Sequence, residues 1–297
     1  PFLESLLLGP GLTSWRMAVT AEPSPTWLQS YAAQWLHGRG ELWAGVVGGP
    51  LVVGFLTPQR NAMTLAAKDT QSTYVGLYRQ VFQNGFVSGF RGGSRPTLAA
   101  IPQFTMIGPA YLIVLKETNS SSAAVFAASL GESVLTYAPQ RRNAQIQFNA
   151  VRPASQHIEV QPMTRAIGPG FSFHVWRNAV AMMGIRLFTP YTSQITKLPP
   201  FNQLRPEGKA IVADLAASVV SASWSMPFNH IFSWAACTPE LENMSQLDRL
   251  KAYASFLIGN YQAQGWRLLS RDICIRASYT GCLFTGYHWV ERRMSEL

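Results

Sequence analysis

The chain has 297 residues, a formal net charge of +9 and only 13% charged residues, against about 25% for an average soluble domain. The composition therefore points to a membrane. A pI near 9.7 also fits a nucleic-acid binder, but that partner is disfavoured because no basic cluster stands apart from the apolar runs.

In chain order, residues 1–42 read as an N-terminal extension. Within it, the stretch from Trp27 to Leu36 has Trp and Tyr spaced for a short helix at headgroup depth; a surface packed on a neighbouring subunit would leave the same pattern. The chain begins at Pro1 rather than Met, which reads as processed or incomplete, and residues 1–40 carry no secretory cleavage pattern. Uncharged runs follow at 42–59, 96–115 and 215–239. Each approaches the roughly 20 apolar residues needed to cross a bilayer. Three further spans are expected near 123–148, 176–197 and 272–294, interrupted by Glu132, Arg186 and Glu291. The mean hydropathy of +0.05 is low for a lipid-filled bundle, so some helix faces should line a polar cavity. The segment 238–262 reads as an irregular loop.

Three prolines, Pro58, Pro139 and Pro227, punctuate small-residue apolar stretches at intervals of about 81 and 88 residues. This period exceeds the roughly 20–50 residues of soluble solenoids and suits three helical hairpins. Each proline removes an intrahelical hydrogen bond and should kink its helix. Gly45, Gly48, Gly49 and Gly54 should allow close helix approach. The segments 60–95, 141–177 and 240–276 hold fifteen Lys/Arg and six Asp/Glu, and the rest holds nine of each. That asymmetry follows the positive-inside pattern and puts both termini on the opposite side.

The stretches after the prolines carry a family resemblance. Tyr74-Val-Gly76 is followed by Asn84-Gly85 and Phe90-Arg91-Gly92. The third unit reads Gln264-Gly265-Trp-Arg, and the second keeps only Gly168-Pro-Gly170. The chain resembles the mitochondrial carrier family over about residues 43–294. The resemblance implies an all-α membrane protein with six transmembrane helices in three pseudo-symmetric hairpin repeats (43–122, 123–208 and 209–297) and short matrix-side helices. It places the chain in the mitochondrial inner membrane, multi-pass, with both termini in the intermembrane space.

The departures are as informative. In the family an acid two residues after each proline and a base three residues later form ion pairs that close the matrix side. Here the acidic positions hold Arg60, Arg141 and Asn229, and the basic ones Met63, Ala144 and Phe232. No acid–base pair stands at the opposite gate either, where the nearest counterparts begin at Tyr111, Phe188 or Tyr191, and Tyr287. Nothing in the sequence replaces the lost charges in kind, and Arg60 and Arg141 at neighbouring ring positions would repel.

By resemblance, Tyr74, Gly76, Phe90, Arg91 and Gly92 open helices whose N-termini hold cardiolipin phosphates; alternatively these glycines only turn the chain. Arg177, Arg186 and Arg276 fall where family members contact substrates. Arg186 is equally explained by snorkelling or by pairing with Glu132. Cys237, Cys274 and Cys282 read as packing residues, and the histidines show no ligand spacing. No enzymatic set stands out, and no cofactor is expected beyond cardiolipin as structural lipid. The expected function is a transport-silent subunit of a larger inner-membrane assembly, such as a respiratory complex, with other membrane subunits as partners. The alternatives are a divergent carrier of a small organic anion and an unrelated six-span protein.

Overall fold

The computed structural model describes residues 44–165 and 167–295. These are helical, with no strand among the described residues. A π-turn at Ala44–Gly48 leads into α1 (Gly49–Phe55). Leu56 departs from helical geometry (φ −85°, ψ 9°), and α2 (Thr57–Ala66) begins with Pro58 in its first turn, where a missing N–H is tolerated. The short α3 (Tyr74–Val81) starts on Thr73, whose hydroxyl accepts the Gly76 N–H at 3.1 Å. Next, α4 (Ser94–Thr118) ends at Asn119 in the left-handed region (φ 50°), which Asn tolerates. Ser120 then caps α5 (Ser121–Ala150) by accepting the Ala123 N–H, so α4 and α5 form a tight hairpin.

The chain enters α6 (Phe171–Met183) through Gly170. Its φ of +82° favours glycine, and a Cβ there would sit 3.0 Å from that of Ala235. A π-turn at Gly184–Phe188 follows, and then α7 (Thr189–Thr192). Pro206 opens α8 (Pro206–Ala236). The last element, α9 (Gln246–Ser295), bends at Gly265 (φ 57°, ψ −142°) into arms 246–264 and 266–295.

The helices close a ring. The α1–α2 segment packs on α4, α4 on α5, α5 on α6, α6 on α8, α8 on α9, and α9 returns to α1–α2. Close approach depends on small residues: a Cβ on Gly49 would lie 2.6 Å from the Phe104 ring on α4, and one on Gly184 would lie 2.5 Å from Ser221 Oγ on α8. An apolar core remains, with Leu65, Leu77, Val125 and Ile275 buried, but large apolar side chains also face outward and hydroxyls inward. Leu51, Phe55, Leu98 and Trp224 face outward, whereas Ser129, Ser133, Thr136, Ser221 and Ser225 are buried. By length and composition α4 and α8 suffice to cross a membrane, and Gly45–Phe55 is a shorter apolar helix.

The three connections 67–93, 151–170 and 237–245 meet at one end of the ring. Lys68 Nζ donates to Thr238 Oγ1 at 2.7 Å. Asn143 on α5 donates to Asn61 on α2, which itself donates to the carbonyls of Gly89 and Arg91. Gln145 donates to the carbonyl of Ala236 and accepts the Gln161 N–H. Arg271 on α9 donates to the carbonyls of Ala66, Asp69 and Ser72, which caps the C-terminal end of α2. Burial alone would raise the Asp69 carboxyl. Hydrogen bonds from the Ser72 hydroxyl, Gln80 and the backbone N–H groups of Ser72 and Gln71 outweigh it and hold the carboxyl at about 2.

Several expectations need correction. The first apolar run is not one helix, because it breaks at Leu56. Pro139 and Pro227, where kinks were expected, lie inside α5 and α8. The fourth helical segment starts at Phe171, five residues earlier than expected. The segment 238–262 is not irregular: a 3-10 turn spans Pro239–Asn243, and α9 begins at Gln246. The stretch from Trp27 to Leu36 lies outside the described residues.

Candidate functional site

The ring encloses a central cavity of about 210 Å³. Four arginines line it: Arg60 from α2, Arg177 from α6, Arg186 from the π-turn and Arg276 from α9. The three expected substrate contacts are therefore brought together, and Arg60 joins them. Glu132 on α5 is the one acid among the cavity's described lining residues. It accepts a 2.8 Å hydrogen bond from Gln103 Nε2 on α4. Of the alternatives for Arg186, pairing with Glu132 is not what is found. Arg186 is exposed, and its guanidinium lies 5.1 Å from the Tyr111 ring centroid. The π-turn, a geometry common at functional sites, carries it there.

Most of the gate positions also converge on this cavity. Arg60, Met63, Ala144, Asn229 and Phe232 all line it. Arg177 spans the floor: Nη1 donates to Asn229 Oδ1 at 2.7 Å and Nη2 donates to Gln140 Oε1. One guanidinium thus ties α6 to α8 and α5. Its face lies 4.2 Å from the Phe232 centroid, and Phe232 in turn stacks on His174 at 4.7 Å. His174 shares a 2.9 Å hydrogen bond with Thr136. Asn229 Nδ2 reaches Met63 Sδ at 3.8 Å. Polar and aromatic cross-ties occupy the floor where ion pairs were sought.

Arg141 turns away from this floor. It pairs with Glu242, which also receives Arg165. The expectation that nothing replaces the lost charges therefore fails at one position. Glu242 comes from the 3-10 turn after α8, far from any spacing rule that could have flagged it. The expected repulsion between Arg60 and Arg141 is avoided as well, because Arg60 donates through Nη2 to the Val53 carbonyl at 3.1 Å.

The expected lipid residues occupy two places. Tyr74 lines a cleft of about 440 Å³ between the start of α3 and α9, shared with Arg267, Arg271 and Ser278. Gly76 sits behind it, its N–H already bonded to Thr73. Phe90 packs at a tilt against Phe86, ring centroids 5.4 Å apart, the Arg91 carbonyl accepts from Asn61, and Gly92 (φ +75°) abuts α5, where a Cβ would come 2.9 Å from Asn143 Oδ1. Close packing against α5 is thus one role of Gly92. Among the cysteines only Cys237 is a buried packing residue, since Cys274 and Cys282 are exposed. No group of residues suited to a metal ion occurs among the described residues. A comparison with protein-family models finds no match for this chain, and a comparison with curated proteins finds none.

Proposed function

We propose that this protein is a carrier-like bundle of six membrane-crossing segments in three hairpin repeats. It no longer transports, and it serves as an architectural subunit of a larger mitochondrial inner-membrane assembly. The observation that carries the reading is the floor of the central cavity. The ring positions other than Arg141 line it, and none of the six pairs with another as acid and base. They are bridged by Arg177 to Asn229 and Gln140 and by the stack of Phe232 on His174. Alternating access needs two states of similar energy, each with its own closing contacts. Opening this floor would strip a buried guanidinium of both acceptors. Each buried polar group left without a partner costs about 1–3 kcal/mol.

The outward apolar side chains and buried hydroxyls of the ring support the membrane part of the reading. Leu51, Phe55, Leu98 and Trp224 face outward, and several serines and threonines with Arg60, Arg177 and Arg276 are buried, as hydrocarbon surroundings favour. The connections 67–93, 151–170 and 237–245 meet at one end but hold five Lys/Arg and four Asp/Glu, so the excess positive charge of the longer segments lies mainly on the helices beside them, at the side read as matrix-facing. The cleft at Tyr74, with the exposed Arg267 beside the N-terminus of α3, suits the phosphate of a lipid such as cardiolipin. The cavity arginines favour a second reading, a divergent carrier of a small organic anion.

Reconstitution separates the two. Proteoliposomes holding the purified full chain and loaded with phosphate, succinate or citrate should show no exchange above protein-free vesicles. Saturable exchange abolished by Arg276→Gln would establish the carrier reading instead.

A further inference from the structure

We infer that Lys68 is a modification site, an amine that accepts an acyl group from a thioester and thereby loosens the junction of the three connections. Lys68 lies in the first connection, just past the end of α2, and is partly exposed. Its Nζ donates to Thr238 Oγ1 at 2.7 Å. It lies 5.7 Å from the Phe148 ring centroid and 5.6 Å from that of Trp234. One side chain thus ties the first connection to the end of α5, the end of α8 and the turn beyond it. The Arg152 guanidinium lies 5.6 Å from the same Phe148 centroid, so two cations share one ring.

Acyl transfer needs a neutral amine with a free lone pair, and these surroundings favour one. A lysine becomes nucleophilic when it is desolvated in an apolar site or set beside another cation, and Lys68 meets both conditions. Its hydrogen bond goes to a hydroxyl rather than to a carboxylate that would hold the ammonium. The Thr238 hydroxyl gives its own proton to the Trp234 carbonyl at 2.7 Å, so it accepts from Nζ and leaves the nitrogen lone pair unoccupied. Burial is the main cause that lowers Lys68 from the ordinary lysine value; Glu240 opposes it and Arg152 adds to it. The Cys237 thiol is a further neighbour, but burial pushes it up to about 12, so it carries no opposing charge near neutral pH. In the step itself the Nζ lone pair forms a bond to the thioester carbonyl carbon and the carbon–sulfur bond breaks. The leaving thiolate takes up the proton shed by the nitrogen. The amide product has no charge to place beside Phe148 and Trp234, and it keeps one N–H where the ammonium had three. The added acyl group also needs room where Thr238 and two rings now close on Nζ, so the connections part.

The test is site-resolved mass spectrometry of the folded full chain in detergent, after brief incubation with acetyl-coenzyme A over a range of pH. Lowering a lysine by one unit raises its neutral fraction about tenfold at mildly alkaline pH. Shielding takes back part of that gain, so Lys68 should be acetylated about threefold faster or more than the exposed Lys197 and Lys251. Arg152→Gln, which removes the neighbouring cation, should move the pH midpoint of Lys68 acetylation upward and leave that of Lys251 in place, whereas Arg152→Lys, which keeps the charge, should not move it. Acetylation should lower the Tm of the wild type but not that of Lys68→Arg, which keeps the cation and lacks the acceptor amine. Acetylation of Lys68 no faster than that of Lys197 and Lys251, or only after the chain has been unfolded, would overturn the proposal. So would a pH profile unchanged in Arg152→Gln, or a Tm unmoved by full acetylation of Lys68.

Discussion

Glu242 offers the sharpest perturbation, because it is the partner of a buried arginine. The Arg141 side chain is 4% exposed and that of Glu242 is 13% exposed. Arg141 Nε and Nη1 have no other partner, so Glu242→Gln leaves a buried guanidinium without its counter-charge. Breaking a buried pair from one side costs about 3–5 kcal/mol. The second contact, from Arg165, adds little, since that side chain is 46% exposed and exposed pairs are worth about 0–1 kcal/mol. The lower end of the range, about 3 kcal/mol, is therefore expected, because Gln retains a hydrogen-bonding oxygen. For a chain of this size that corresponds to a fall in Tm of roughly 6–12 °C, read by thermal unfolding of the full chain in detergent. Arg141→Met should cost less, since it removes the charge along with its need for a partner, and the double variant should recover most of the loss. If Glu242→Gln falls within about 1 kcal/mol of wild type, or its effect simply adds to that of Arg141→Met, the tie between α5 and the turn after α8 does not hold this end of the ring together.

Two further outcomes follow from local geometry. Gly265→Ala should destabilise by about 1–3 kcal/mol, because its φ of +57° is strained for any side chain although no atom lies within 4 Å of the added methyl. Gly259→Ala, equally uncrowded but inside the helical arm, should stabilise by about 0.5–1 kcal/mol; equal effects of the two on Tm would dismiss the bend at Gly265. Asp69 is held at about 2 in the fold against about 3.9 when free. Its stabilisation is therefore complete above about pH 4 and fades as pH falls through about 2. The Tm gap between wild type and Asp69→Asn should close on acidification, and a gap independent of pH would contradict the hydrogen-bonded carboxylate.

The sequence carried the ring's outline where the signal was one of length or backbone. Uncharged runs marked α4 and α8, and Gly170 and Gly265 stood where the backbone needs a positive φ. It failed where the signal was periodic or tertiary. The arm 246–264 places Leu250, Tyr253 and Leu257 at helical spacing, with Tyr253 buried among Ile231 and Leu241. A reading by apolar length passes over such an amphipathic stretch. The cavity arginines Arg177, Arg186 and Arg276 were legible because charge inside an apolar segment is rare. Arg60 was read only as a lost acid, and its place in the cavity depends on the break at Leu56. Glu242 could not be found at all, since its partner is 101 residues away and the turn that presents it has no pattern of its own. Exposure of Cys274 and Cys282 was equally hidden, because helical spacing does not say which face looks outward.

The central claim is that this fold is kept for what it joins rather than for what it moves. The direct measurement is native gel electrophoresis of mildly solubilised mitochondria, probed for this chain. Migration with an assembly of several hundred kilodaltons, with none near the chain's own 32.8 kDa, is the predicted result. A band at the monomer's mass, with no larger species in the mildest detergent, would contradict the account.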